Sequence, residues 1–123
     1  MPSDGKTSRS MGEPPGSNAQ ELEALLQTLW KSSYPTLLER LKTLRDAQSR
    51  LVTGSLDNET RKDSEAAAHK LAGVLGTFGL PEGSRLASKI EGVLVPEAEL
   101  SAERGQELGK WLDELEAVVA SKP

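Results

Sequence analysis

Residues Glu65–Leu80, with the sequence EAAAHKLAGVLGTFGL, decide how this chain folds. On a helical wheel of about 100° per residue with His69 at zero, one group of apolar residues lies about 140° to 240° away. The group comprises Ala67, Leu71, Val74, Leu75 and Phe78. His69, the single histidine of the chain, points in the opposite direction. The pattern therefore predicts an amphipathic helix with an apolar core stripe and an exposed imidazole.

The side chains that border His69 on the wheel are unusually small. Gly73 and Gly76 lie within about 40° of it, and Ala66 and Ala72 lie at about 60°. A glycine inside a helix costs about 1 kcal/mol relative to alanine, and an exposed face offers no packing gain in return. This indicates a flat patch that another protein's backbone can approach. The alternative is that the glycines serve close packing between helices and that His69 is an ordinary surface residue.

Helical periodicity continues before this segment. Leucines at three- and four-residue spacing run from Leu22 to Leu29 and again from Leu37 to Leu51. Ser33–Pro35 lies between the two runs, and a proline disfavours a helix interior, so two helices or one kinked helix both fit. Asp57 or Asn58 is the predicted N-cap of the helix that carries His69, which we expect to end at Gly79.

Two further helices follow. One begins at Pro81 and is closed by Pro96, and Ser101 is the predicted cap of the last. Trp30 and Trp111 lie on apolar stripes and are expected in the core. The predicted fold is all-α, an up-down four-helix bundle with an additional short N-terminal helix or helix extension. Residues 1–17 are rich in Gly, Pro and Ser and are predicted to be a disordered tail or linker, followed by the bundle over residues 18–121.

Composition excludes several kinds of function. The chain has 123 residues, which fits one domain and a tail, and its net charge is −4 without a dense basic stripe for nucleic acid. It has no cysteine, so neither a thiolate metal site nor a cysteine nucleophile is possible. A single histidine excludes a multi-histidine zinc site. No apolar run approaches the ~20 residues that cross a bilayer. We expect a cytoplasmic protein without metal-ligating or cofactor-binding residues.

An exposed lone histidine suits nucleophilic transfer better than hydrolysis. The sequence has no G-x-S-x-G elbow and marks out no acid–base partner for a triad. A neutral imidazole, with an ordinary pKa near 6.5, is a competent nucleophile at neutral pH. His69 could take a phosphoryl group if a partner supplied the metal, the acidic pocket and the orientation.

The residues around His69 resemble a known family. Ala68, His69, Leu71, Gly73 and Gly79 match the histidine phosphotransfer (HPt) domain, whose pattern is Ala-His-x-Leu-Lys-Gly with a second glycine six residues later. The continuation from Glu82 to Glu91 also looks like the helix that follows in that family, and the resemblance extends over about Leu22 to Val118.

The resemblance implies a function for His69. It would accept a phosphoryl group from a receiver aspartate and pass it to another receiver, and Gly73 would let the receiver approach. The implied partners are receiver domains of response regulators or hybrid histidine kinases, which would supply Mg²⁺. The chain itself would be a monomeric phosphocarrier, with no cofactor of its own and no kinase or ATP-binding domain.

One residue departs from the family pattern. Ala72 stands where the family has a lysine near the phosphoryl group. Lys70, about 100° around the helix, and Lys62, two turns earlier, are possible substitutes, or they are solvated surface residues. Glu65, one turn before His69, is a candidate to orient the imidazole, or it too is merely solvated.

Two other functions stay in view. A non-catalytic HPt-like adaptor would dock receiver domains without phosphotransfer, and Ala72 is the feature that favours it. A dimerising histidine-kinase core is weakened because no ATP-binding domain follows in the sequence.

Overall fold

A computed structural model describes residues 15–122 and shows an all-α protein. Its four helices are α1 (Pro15–Val52), α2 (Asn58–Thr77), α3 (Pro81–Leu94) and α4 (Ala102–Ser121). The predicted helical-bundle fold class is confirmed. Most of the predicted N-terminal tail, residues 1–14, lies outside the described residues. Within the described part, no helix is long and apolar enough to span a bilayer.

The helix ends follow the predicted caps. Asp57 Oδ1 accepts a hydrogen bond from the Thr60 amide at 2.6 Å, and this bond holds the pKa of Asp57 below its ordinary value. Gly79, with φ of +76°, ends α2 in a Schellman motif in which the Leu80 amide donates to the Leu75 carbonyl at 2.9 Å. Pro81 is the first residue of α3. Ser101 caps α4 as predicted, accepting from the Arg104 amide at 3.2 Å.

The chain divides into two compact units between Tyr34 and Pro35. From Pro35 onward all four helices contribute to one apolar core, because each carries buried residues at helical spacing. Its largest fully buried side chains include Leu37, Leu44, Leu71, Leu75, Leu86, Ile90, Leu94, Leu108, Leu112 and Leu115. Burying each leucine stabilises the fold by about 1.5–3 kcal/mol. Trp111, predicted to be core, is half-buried, and the Lys89 ammonium lies 5.4 Å from its ring centroid.

Polar contacts join α1 to α4 within the second unit. Arg45 donates to Glu116 Oε1 at 2.9 Å and also to Asp113. The bond to Glu116, with Asp113 adding to it, raises the pKa of Arg45. Gly105 allows the close approach, because a Cβ there would lie 2.8 Å from a side-chain carbon of Val52. These contacts fix the first and last helices of the bundle against each other.

The structure distinguishes the two alternatives for the leucine runs of α1 and shows which of these leucines are exposed. Pro35 lies inside one continuous helix, so the interruption between the leucine runs does not divide α1 into two helices. Side chains on both sides of the proline are buried, for example Trp30 and Leu37. Their burial stabilises the helical turns that flank Pro35. The first leucine run is mostly exposed: Leu22 is 58% and Leu25 is 54% accessible. Leu29 and, in the second unit, Leu38 are exposed as well. In these stretches periodicity correctly indicates a helix, but the described residues do not cover its apolar face.

Candidate functional site

His69 lies near the middle of α2 on the side that faces away from the core. Its side chain is 74% exposed, whereas Ala68 and Leu71 beside it are fully buried. The wheel prediction of an exposed imidazole is therefore confirmed. The buried stripe of α2 holds the backbone in place, and the histidine is presented on a rigid helix.

One ring nitrogen of His69 is held by a carboxylate of the next helix. Nδ1 lies 3.0 Å from Oε2 of Glu91, whose side chain is 27% exposed. Because an ionised carboxylate can only accept, Nδ1 carries the hydrogen and donates it to Glu91. In the neutral ring Nε2 then has the free lone pair. The contact with Glu91 thus leaves Nε2 as the ring atom that is open to an external partner.

Small residues border the ring, as the sequence predicts. Gly73 and Gly76 are exposed and Ala72 is half-buried. A Cβ added to Gly73 would meet no heavy atom within 4 Å, and one added to Gly76 would lie 3.5 Å from Ser84 Oγ, an ordinary contact. Packing among the described residues 15–122 therefore requires neither glycine to lack a side chain. This finding opposes the view that the two glycines serve close helix packing.

A second hydrogen bond fixes α3 against α2 beside the site. Ser84 Oγ donates to the Ala72 carbonyl at 2.7 Å, three residues after the histidine. Together with the bond between His69 and Glu91, it ties the two antiparallel helices at two points along one edge. The position of the Glu91 carboxylate relative to the ring is thus set by the packing of α3 on α2.

Glu65 lies on the same edge but has a different partner. Its Oε1 is 3.5 Å from Nη1 of Arg61, a buried residue that also donates to the Leu94 carbonyl at 2.6 Å. The carboxylate on the His69 ring is that of Glu91, which sequence reasoning did not select. Helical periodicity does not give the register of α3 on α2, so the sequence offered no signal that singles out Glu91.

The other sequence candidates are cations on the surface. Lys62 and Lys70 are exposed, and neither forms an ion pair with any residue from 15 to 122. Nothing in the structure places either ammonium at the His69 ring. Ala72 brings no charge to the site, and the cation in the turn that follows His69, Lys70, lies about 100° around the helix from the ring.

The His69 ring lies on an open face of the protein. In the described part of the chain, no group of three or more His, Cys, Asp or Glu residues could hold a metal ion. A surface cleft of about 600 Å³ lies along the first turns of α4, lined by side chains such as Glu103, Arg104 and Lys110, and excludes His69.

Comparison with known proteins agrees with this geometry. Protein RcaC of Microchaete diplosiphon is 31% identical over 77 residues, which cover 63% of this chain and 12% of that protein. The chain thus spans only a small part of the length of that relative. No solved structure matches significantly. The sequence profile of the Hpt domain matches residues 19–121, nearly the whole described region. The chain belongs to the Hpt domain family, whose members take part in histidine phosphotransfer and interact with receiver domains in phosphorelays.

Proposed function

We propose that this chain carries a phosphoryl group on Nε2 of His69, accepting it from a phosphorylated receiver aspartate and passing it to a second receiver. The observation that carries the proposal is the pairing of Nδ1 with Glu91 on an otherwise open face. That pairing leaves a single ring nitrogen with a free lone pair, and it directs this nitrogen toward an incoming protein.

The transfer step balances without any further reactant. The Nε2 lone pair attacks the phosphorus of the aspartyl phosphate while the bond from phosphorus to the aspartate oxygen breaks. The aspartate leaves as a carboxylate with the electron pair of that bond. A new P–N bond forms, and the ring, which keeps its Nδ1 hydrogen, becomes positively charged. The reverse sequence of bonds delivers the phosphoryl group to a second aspartate.

Glu91 supports this step by its charge. Positive charge develops on the imidazole as the P–N bond forms, and the carboxylate 3.0 Å from Nδ1 stabilises it. The same contact holds the ring in the tautomer that can react. Glu91 is a positioning residue, because it acts through His69 and does not touch the phosphoryl group.

Gly73 and Gly76 provide the surface on which the receiver lands. Since packing among the described residues requires neither glycine, their small size serves an external contact. The receiver contributes Mg²⁺ and its acidic pocket, so this chain needs no cofactor of its own. A monomer in the cytoplasm is the form that we propose for this exchange.

A substitution at the acceptor tests the proposal. His69→Gln should abolish transfer of ³²P from a phosphorylated receiver in the presence of Mg²⁺. Its melting temperature should stay close to that of the wild type, because the side chain is exposed. The adduct on the wild type should be labile in acid and stable in base. Labelling that persists in the His69→Gln variant would refute the assignment.

The second candidate function is an adaptor that docks receivers without transfer. It is favoured by Ala72, which brings no cation to the position where the family has a lysine. An adaptor would bind a receiver equally well as wild type and as His69→Gln, and phosphate would move in neither case. Titration of both proteins with the same receiver, together with the labelling assay, separates the two functions.

A further inference from the structure

The packing of α3 on α2 brings one more polar side chain to the edge beside His69. The contacts of Glu91 with His69 and of Ser84 with Ala72 fix the register of the two helices. Ser88 falls between Ser84 and Glu91 on α3, one turn from each, and within about 60° of Glu91 on the wheel. The register set by these two contacts puts Ser88 opposite Ala72, one turn from the histidine, and the Ser88 side chain is exposed.

The hydroxyl of Ser88 forms no hydrogen bond with the part of the chain that the structure describes. Hydroxyls of other helical residues bond to backbone carbonyls: Ser64 donates to Thr60 at 2.7 Å and Thr77 donates to Gly73 at 3.0 Å. Ser88 has no such bond to any residue in the described range. Its O–H is available to a group that arrives at this edge.

A phosphoryl group on His69 would need hydrogen-bond donors. It carries three acceptor oxygens and close to two negative charges. On the His69 side of α2, the neighbours of the ring are Glu65, which is an acceptor paired with Arg61, and alanines and glycines, which have no polar side-chain hydrogen. Glu91 is an acceptor already engaged at Nδ1. Ser88 is the uncharged donor that α3 adds to this border.

We propose that the Ser88 hydroxyl donates a hydrogen bond to the phosphoryl group of phospho-His69 and thereby prolongs the lifetime of the P–N bond. The inference rests on the proposed function. A phosphoryl group loses charge from its oxygens in a loose, metaphosphate-like transition state. A donor to those oxygens therefore stabilises phosphohistidine more than it stabilises the transition state, and it slows hydrolysis.

Removal of the hydroxyl tests this role without a partner protein. Wild type and Ser88→Ala are phosphorylated with phosphoramidate, a small phosphoryl donor, and the decay of phosphohistidine is followed by ³¹P NMR. Ser88→Ala should decay about 3- to 10-fold faster, which is less than the full worth of a hydrogen bond to a charged group, because the transition state keeps part of that bond. Its ³¹P resonance should shift, and its melting temperature should not fall, because alanine is the better helix former.

Two variants control the experiment. Ser88→Thr keeps a hydroxyl at the site and should retain most of the wild-type lifetime. Ser49→Ala removes another exposed helical hydroxyl, on α1, and should change nothing. Equal decay of Ser88→Ala, Ser49→Ala and wild type, with unchanged ³¹P shifts, would overturn the inference and leave the proposed function intact. A wild-type chain that is never labelled on His69, by phosphoramidate or by a receiver, would overturn both.

Discussion

Gly73→Ala should make the protein more stable and, at the same time, a poorer phosphoryl acceptor. The added methyl group meets no heavy atom within 4 Å, so no packing cost offsets the gain in helix propensity of about 1 kcal/mol. For a unit of this size that gain corresponds to a rise in melting temperature of roughly 4–8 °C. A receiver whose backbone approaches this face meets the methyl directly. A poorly accommodated methyl costs about 1–3 kcal/mol, which slows transfer roughly 5- to 150-fold at low receiver concentration.

Thermal unfolding by circular dichroism and single-turnover transfer of ³²P from a phosphorylated receiver measure the two effects. Gly92→Ala is the matched control, because Gly92 is exposed within α3 and a Cβ there also meets nothing within 4 Å. It should gain stability and keep the wild-type transfer rate. Transfer by Gly73→Ala at the wild-type rate would refute the argument from small residues. A fall in its melting temperature would show instead that Gly73 serves the fold.

Three further predictions concern the support of the site and the ends of its helix. Glu91→Gln should slow transfer about 10- to 100-fold, by analogy with the residues that orient metal-bound histidines. Its melting temperature should barely change. An unchanged single-turnover rate would remove Glu91 from the mechanism. Gly79→Ala should destabilise the chain by roughly 1–2 kcal/mol in urea unfolding, because φ of +76° strains a side chain; unaltered stability would contradict this. Asp57→Ala should lower stability at neutral pH. Since the folded-state pKa of Asp57 is lowered, chiefly by the hydrogen bond from Thr60, its contribution is present above the unfolded value of about 3.9 and disappears as pH falls through the folded value. Unfolding curves of the two proteins should therefore converge in acid, and a constant difference would be inconsistent with the cap.

Most of the fold could be predicted from the sequence because helical periodicity and helix capping depend only on residues within or next to one helix. The wheel placed His69 opposite the buried stripe, and the exposed side chain agrees. Asp57 and Ser101 cap their helices, since an N-cap needs only an oxygen three residues before an unpaired amide. Gly79 ends α2 because it adopts a backbone conformation that other residues resist.

Contacts between helices were harder to predict. Glu91 reaches His69 across 22 positions of sequence, and finding it requires the register of α3 on α2, which periodicity does not give. Glu65 has the right spacing on α2, yet Arg61 is its partner because the guanidinium is anchored at the end of α3. The exposed Leu22 and Leu25 show a similar limit: a stripe indicates a helix but not what covers it.

The openness of the histidine has a consequence for how a signal would persist. No described side chain covers the ring, so a phosphoryl group bound there would be in contact with bulk water throughout the interval between two receiver encounters. The lifetime of the phosphorylated state would depend on the intrinsic strength of the P–N bond and on a few neighbouring dipoles, and no closing motion would protect it. Faster removal of the phosphoryl group would then have to be carried out by the protein that docks next.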